Sequence, residues 1–226
     1  MVMIKHFKGK VGGTGPKARA TYVYPRRTEL KFARAEYENS VVGTVAGAEA
    51  DPTSGSLSGV STGTGESNRI GRVIYVKSIY VKGHINISTL SLLGSEGYVR
   101  LWMVLDKQTN RAQLSSESVL SDPSSTNLDA DAMQNLQFSD RFSIVKTELI
   151  KIKPSNTAGN GTTNDSGSID VPFAMFHSCN VKQEHAGTSS NVTDITTNSF
   201  HLIAIKSANL TVSTNLRYRS QMRFTD

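Results

Sequence analysis

The stretch Leu210-Thr-Val-Ser-Thr-Asn-Leu-Arg-Tyr-Arg-Ser-Gln-Met-Arg-Phe-Thr225 sets Leu210, Val212, Leu216, Tyr218, Met222 and Phe224 at even positions. The odd positions hold Thr211, Ser213, Asn215, Arg217, Arg219, Gln221 and Arg223. An apolar period of two means a β-strand with one dry face, and the wet face of this one is basic. Residues 98 to 105 repeat the pattern, with Val99, Leu101, Met103 and Leu105 on one side and Tyr98, Arg100 and Trp102 on the other. Strands are also predicted over residues 29–36, 72–87, 141–153, 173–183 and 200–206, seven or eight in all. Within 141–153 the apolar parity changes near Lys146, which predicts either two strands or one bent strand.

Long segments rich in Gly, Ser, Thr, Asn and Asp separate these strands, at residues 46–68, 108–140 and 154–170. Loops of that length in a compact domain are usually contact or binding regions, and the block from Gln108 to Asp140 is expected at a subunit contact. One short helix is predicted over Asn127–Gln137, capped by Asn127 or Asp129, with Leu128, Met133 and Leu136 facing inward. The pattern is that of an all-β protein, a single jelly-roll sandwich of two packed antiparallel sheets.

Charge is sorted along the chain. Residues 1–37 hold nine Lys or Arg against two acids, whereas residues 38–226 hold sixteen against seventeen. The organisation expected is a basic arm over residues 1–27 followed by a jelly-roll domain over 28–226. The first cations, Lys5, His6, Lys8, Lys10, Lys17, Arg19, Arg26, Arg27, Lys31 and Arg34, are interleaved with Gly9, Gly12, Gly13, Gly15 and Pro16, which oppose helix. Such an arm suits a polyanion, and nucleic acid is the first candidate because Lys and Arg release the counterions condensed on phosphates whatever the base sequence.

Cys179 is the single cysteine, so no intrachain disulfide forms and no Cys-based zinc site is expected. The N-terminus is too quickly charged for a signal peptide and no run approaches a membrane span, so an intracellular protein without a membrane partner is expected. Catalytic patterns are weak. Gly12-Gly13-Thr14-Gly15-Pro16-Lys17 follows no strand, and Pro16 lacks a donor that a phosphate loop needs. The Gly63–Arg72 segment precedes a strand rather than a helix and reads as a turn. His177 and Cys179 share a strand face with Phe173, Met175 and Val181, which reads as core; His185 adds no clear partner. Asp129 and Asp131 suit either a helix start or a calcium contact between subunits. The expectation is a non-enzyme with no cofactor and no metal site.

Several blocks occur in a telling order: Pro25-Arg-Arg-Thr-Glu-Leu-Lys-Phe32, Asn68-Arg-Ile-Gly-Arg72, Val99-Arg-Leu-Trp-Met-Val-Leu-Asp-Lys-Gln-Thr-Asn110, Asp140-Arg-Phe-Ser-Ile-Val-Lys146, Asn198-Ser-Phe-His-Leu-Ile-Ala-Ile205 and Arg219-Ser-Gln-Met-Arg-Phe-Thr-Asp226. Together they resemble the capsid proteins of small circular single-stranded DNA viruses that encode a replication initiator, circovirus- and geminivirus-like. The resemblance covers residues 22–226, although such arms are commonly dense in consecutive arginines and this one is spaced and Gly-rich. It implies a homo-oligomer, an icosahedral shell of about 60 copies, that packages single-stranded DNA, with the protein in the virion and in the host nucleus or cytoplasm during assembly. Two alternatives stay open: a capsid protein of an RNA or satellite virus, and a non-viral β-sandwich binding module with an incidental tail. The resemblance also implies that the first strand, the last strand and the strand at 98–105 lie in one sheet facing the lumen. Tyr98, Arg100, Trp102, Arg217, Arg219, Arg223 and Lys31 are then expected on one wet face, as a platform on which bases stack and phosphates pair.

Overall fold

A computed structural model describes residues 29–40, 56–88, 97–121, 128–152, 168–210 and 214–226. The chain is all-β. Among the described residues seven long strands carry it: β1 (Lys31–Ser40), β2 (Val73–Ser88), β3 (Gly97–Asp106), β6 (Phe142–Ile152), β7 (Ser168–His185), β9 (Ser199–Lys206) and β10 (Thr214–Thr225). Three short ones, β4 (Leu120–Ser121), β5 (Met133–Gln134) and β8 (Ile195–Thr197), and one four-residue helix, α1 (Ser116–Val119), complete the order. Each predicted long strand is present within a few residues of its expected ends. The predicted boundary at residue 28 falls just outside the described residues.

Two antiparallel sheets pack face to face. One is five-stranded in the order β1-β10-β2-β7-β8, the other three-stranded in the order β6-β3-β9. The chain crosses between them from β2 to β3, from β6 to β7, from β8 to β9 and from β9 to β10, so the first and last strands become neighbours. That winding is a jelly roll. On the free edge of β9, Leu57 N–H donates to Phe200 O at 2.6 Å and Phe200 N–H donates to Ser58 Oγ at 3.0 Å.

Alternation puts Leu216, Tyr218, Met222 and Phe224 of β10 into the core against Val99, Leu101 and Met103 of β3, with Ile79, Val81, Ile85 and Ile87 of β2 beside them. The parity of β2 is even at Ile74 and Val76 and odd from Ile79 onward, and a bulge between Val76 and Ser78 makes the change. The parity change near Lys146 has the same cause. β6 is one bent strand, its bulge lying opposite Met103 and Val104, so that Phe142 and Ile144 face away from the sheet interface while Ile150 and Ile152 face into it. Gly83 lies directly across from Tyr218, where a Cβ would stand 2.8 Å from the Tyr218 Cβ, so only glycine leaves the ring its place in the core.

A third layer was not expected. β9 is buried along both faces, as its near-continuous apolar run requires: Phe200, Leu202 and Ala204 enter the inter-sheet core, and Ile203 and Ile205 point outward into a second cluster. That cluster joins Trp102 and Val104 of β3 and Phe142 of β6 to Leu114, Val119, Leu120, Leu128 and Ala132. The block after β3 is thus a flap that closes the outer face of the three-stranded sheet. It leaves β3 through two left-handed residues, Asn110 (φ 52°) and Arg111 (φ 60°), whose N–H groups bond to Thr196 and Ile195. Asp106, wholly buried, fixes its return by a two-pronged pair with Arg141, both contacts at 2.9 Å.

The helix predicted at Asn127–Gln137 does not form. Leu128 is buried, but Met133 and Leu136 are exposed, the first in the two-residue β5 and the second in a single 3-10 turn whose Asn135 side chain accepts from Gln137 N–H. Asn135 prefers capping its own turn to continuing a helix.

Candidate nucleic-acid interface

The outer face of the five-stranded sheet has no such cover among the described residues. Its side chains form rows across the strands, set by the register. Glu36 of β1 lies opposite Arg219 of β10, which lies opposite Lys82 of β2, and Glu38 lies opposite Arg217, which lies opposite His84. In the neighbouring row Arg34 is followed by Gln221, Tyr80 and Phe176, and beyond it Phe32 by Arg223 and Ser78. Tyr80 and Phe176 are direct cross-strand partners, 37% and 57% exposed, and Tyr75 is 43% exposed nearby with Lys77 Nζ 5.5 Å from its ring centre. Large rings left in solvent on a sheet face are the informative departure from ordinary burial. Between them Glu36, Tyr80, Lys82, His84, Pro172 and Arg219 bound an open depression of about 500 Å³.

Ion pairs partly neutralise this face. Arg219 Nη2 donates to Glu36 Oε1 at 2.9 Å, and Arg217 Nη2 donates to Glu38 Oε2, which raises the Arg217 pKa first through that hydrogen bond. Arg223 and Lys82 are exposed and make no ion pair among the described residues. The Arg34 guanidinium sits 5.0 Å from the Phe32 ring centre, presenting a cation stacked on a ring.

The structure divides the side chains expected on a single platform. Arg217, Arg219 and Arg223 lie on the open face, and β1 and β10 are neighbours as expected. Tyr98, Arg100 and Trp102 belong to β3, in the other sheet. The alternation along β3 was read correctly, but a solvent-facing side was the wrong inference for Trp102: at 3% exposure it is a buried member of the flap cluster, with the Arg100 guanidinium 5.9 Å from its ring centre. Tyr98 Oη donates to Asp131, which pushes the phenol up to about 12, and Arg100 Nη2 lies 3.5 Å from the same carboxylate. Asp131 and Asp129 therefore serve the flap: Asp129 Oδ1 accepts from Asp131 N–H, closing the turn before β5. Lys31 is also withdrawn from the expected platform. It is 5% exposed, pairs with Asp226 at 3.1 Å and donates to Asn68 O at 3.2 Å, tying the first strand to the last residue. Of the arm cations, Lys5, His6, Lys8, Lys10, Lys17, Arg19, Arg26 and Arg27 lie outside the described residues, as does the Gly12–Lys17 segment.

Tyr80, Phe176, Lys82 and His84 were missed in the sequence, although a signal was there. Tyr80, Lys82 and His84 alternate with Ile79, Val81 and Ile85, and Phe176 alternates with Met175. The aromatic character of Tyr80 and Phe176 hid them, because rings in strands are usually counted as core.

The remaining candidates are interior. His177 faces Phe200 at 6.1 Å between ring centres, and burial lowers its pKa. Cys179 donates to Val76 O at 3.4 Å, and burial pushes its thiol up. The Gly63–Arg72 turn contains a buried arginine, Arg69, whose guanidinium donates to Val60, Gly71 and Gly187 carbonyls and staples that turn to the β7–β8 connection. Beside it His185 is buried with no hydrogen-bond partner on either ring nitrogen, and burial first, then the nearby charge of Arg69, drive its pKa down to about 4. Buried Ser199 Oγ and His201 Nε2 are 2.6 Å apart, with Thr109 Oγ1 donating to the same hydroxyl at 2.7 Å. No group of three potential metal ligands occurs among the described residues.

No family model matches this chain, and no curated protein matches it. Among solved structures, VP2 in the subviral particle of infectious bursal disease virus is 13% identical over 96% of this chain and 46% of its own, with a TM-score of 0.18. The chain spans less than half the length of that neighbour. A score so low carries no argument about fold or activity, and the functional reading rests on the chain's own surfaces. No helix among the described residues is long and apolar enough to cross a membrane.

Proposed function

We propose that the chain is a capsid-type jelly-roll subunit that assembles with copies of itself and holds single-stranded nucleic acid on its basic arm and on the open face of its five-stranded sheet. The observation that carries the reading is the inequality of the two outer faces. The three-stranded sheet closes its outer face with the chain's own flap, whereas no described residue covers the outer face of the five-stranded sheet, which carries Arg34, Arg217, Arg219, Arg223 and Lys82 together with Tyr80 and Phe176. Cations with exposed rings suit unpaired bases, because each base stacks on a ring while its phosphate meets a cation, with no need to read sequence. The arm adds its cations directly before β1, the edge strand of that face. The block resemblance makes single-stranded DNA of a replication-initiator virus the favoured cargo, and the role is structural rather than enzymatic.

Purified protein examined by negative-stain microscopy and sizing, with nuclease treatment before extraction, tests this reading. Closed particles whose contents resist nuclease until the shell is opened, and are then degraded by a DNase and not by an RNase, are expected. A monomer at every concentration and salt tried, with no protected nucleic acid, overturns it.

A further inference from the structure

Two features of the open face pull in opposite directions. Its cations suit phosphate, yet two of them are already held by carboxylates of the same chain. Glu36 and Glu38 stand directly across from Arg219 and Arg217 on the edge strand, in consecutive outward positions, and each makes the ion pair its register allows. The acids are not needed to bury these arginines. Arg219 and Glu36 are 68% and 59% exposed, Arg217 and Glu38 50% and 63%, so all four groups remain in solvent. Exposed pairs of this kind hold weakly and are screened by salt. A phosphate arriving over β10 finds each arginine already satisfied by a carboxylate that is easily displaced.

We infer that Glu36 and Glu38 are built-in competitors for the polyanion: they occupy Arg219 and Arg217 while the face is empty and yield them to the phosphates of a single strand whose bases stack on Tyr80 and Phe176. This rests on the nucleic-acid reading above and adds regulation to it. Along β10, Arg217 and Arg219 are about 6.8 Å apart by the strand rise, a spacing that lets successive phosphates of an extended strand meet successive arginines. The depression beside them is bounded by the ring of Tyr80, the cation Lys82 and the Glu36–Arg219 pair, so a base in it brings its phosphate to the pair that must open. The consequence is a face that holds a continuous strand better than short or sparse anions, because each pair opened costs a little and tethered neighbouring phosphates make up that cost together.

The test uses the full-length chain, with E36Q/E38Q compared to wild type, and fluorescence anisotropy of labelled oligothymidylate and oligouridylate of equal length over a salt series. Glutamine keeps the shape and removes the competing charge at exposed positions, so melting temperature is a control for folding. The expected result is tighter binding of both oligomers by on the order of tenfold at low salt. The slope of log affinity against log salt should stay at the wild-type value, because wild type reaches the same two phosphates once its ion pairs have opened. A cycle with R219Q sharpens it: losing Arg219 should weaken binding more in the E36Q background than in wild type. Binding by wild type with unchanged affinity in E36Q/E38Q, or with a slope steeper by two phosphates, which would mean that the carboxylates keep the arginines, overturns the competition and leaves the nucleic-acid reading standing. Failure of wild type and E36Q/E38Q alike to bind at low salt overturns both. Binding of one oligomer alone, tighter in E36Q/E38Q, upholds the competition and identifies the cargo.

Discussion

The two sheets share one core and treat their other faces in opposite ways. β3 and β9 carry apolar side chains on both sides, Leu101 and Met103 against Trp102 and Val104, Leu202 and Ala204 against Ile203 and Ile205, and the chain supplies a flap to cover the outward set. β10 alternates strictly, with Leu216, Tyr218 and Met222 inward and Arg217, Arg219 and Arg223 outward, β2 alternates on either side of its bulge, and nothing described covers the outward set. The difference lies in the strands' own chemistry: an apolar outer face has to be closed by something, whereas a charged one is stable in water and free to bind.

The flap gives the largest effect expected from breaking this comparison. Trp102→Ala empties a wholly enclosed site and should cost about 3–5 kcal/mol, read from urea unfolding followed by far-UV circular dichroism. Replacing the flap by a few Gly and Ser residues exposes Trp102, Val104, Ile203 and Ile205 together, and the product should bind a hydrophobic dye and lose cooperative unfolding. A flap-less chain that unfolds cooperatively at wild-type denaturant would return the flap to the role of a passive loop or a pure subunit contact.

Acid should act on the end of the sandwich where the Gly63–Arg72 turn meets β7 and β8. His185 is held neutral in the fold, with a pKa of about 4 against 6.5 when free, so the unfolded chain binds more protons between those values. Its sign is definite: stability is at its full value above pH 6.5 and falls as pH drops toward 4, by up to about 3 kcal/mol. His177, lowered by burial in the same direction, adds to the fall. Thermal melts of wild type and H185Q from pH 7 to 4 check it. A wild-type curve no steeper than that of H185Q means that the ring is protonated or solvated in the native state.

The architecture could be read from the sequence because period-two patterning survives wherever one face is wet. The ends of β3 follow from residue parity, and the parity change in β6 marks its bulge, whereas β9 is bounded by its apolar run. The site was read less well for a related reason. Parity tells which residues share a face of one strand but not which sheet a strand joins, so Tyr98, Arg100 and Trp102 were grouped with the arginines of β10 across a sandwich that separates them. Nor does alternation distinguish solvent from a second apolar layer. The clue lay in Ile203, Ile205 and Val104, apolar residues at positions the pattern reserves for polar ones. Parity places Lys31 on the wet side, and its partner Asp226 lies 195 residues away, beyond any local pattern.

The smallest effect on stability should come from the open face, and there it is the smallness that decides. Arg217→Gln with Arg219→Gln removes two exposed ion pairs, which contribute little and are screened by salt, and leaves the inward residues Leu216, Tyr218 and Ser220 in place. Tyr80→Ala with Phe176→Ala removes rings already partly in water. Both variants should keep the wild-type Trp102 emission, since that ring lies under the flap on the opposite sheet. Their effect should appear in binding: the arginine variant loses slope against salt, and the ring variant loses affinity at constant slope, by about 1–3 kcal/mol for each base that no longer stacks. A shift in Trp102 emission in either variant would show that the two faces are coupled through the core, and the division of labour between the sheets would fail.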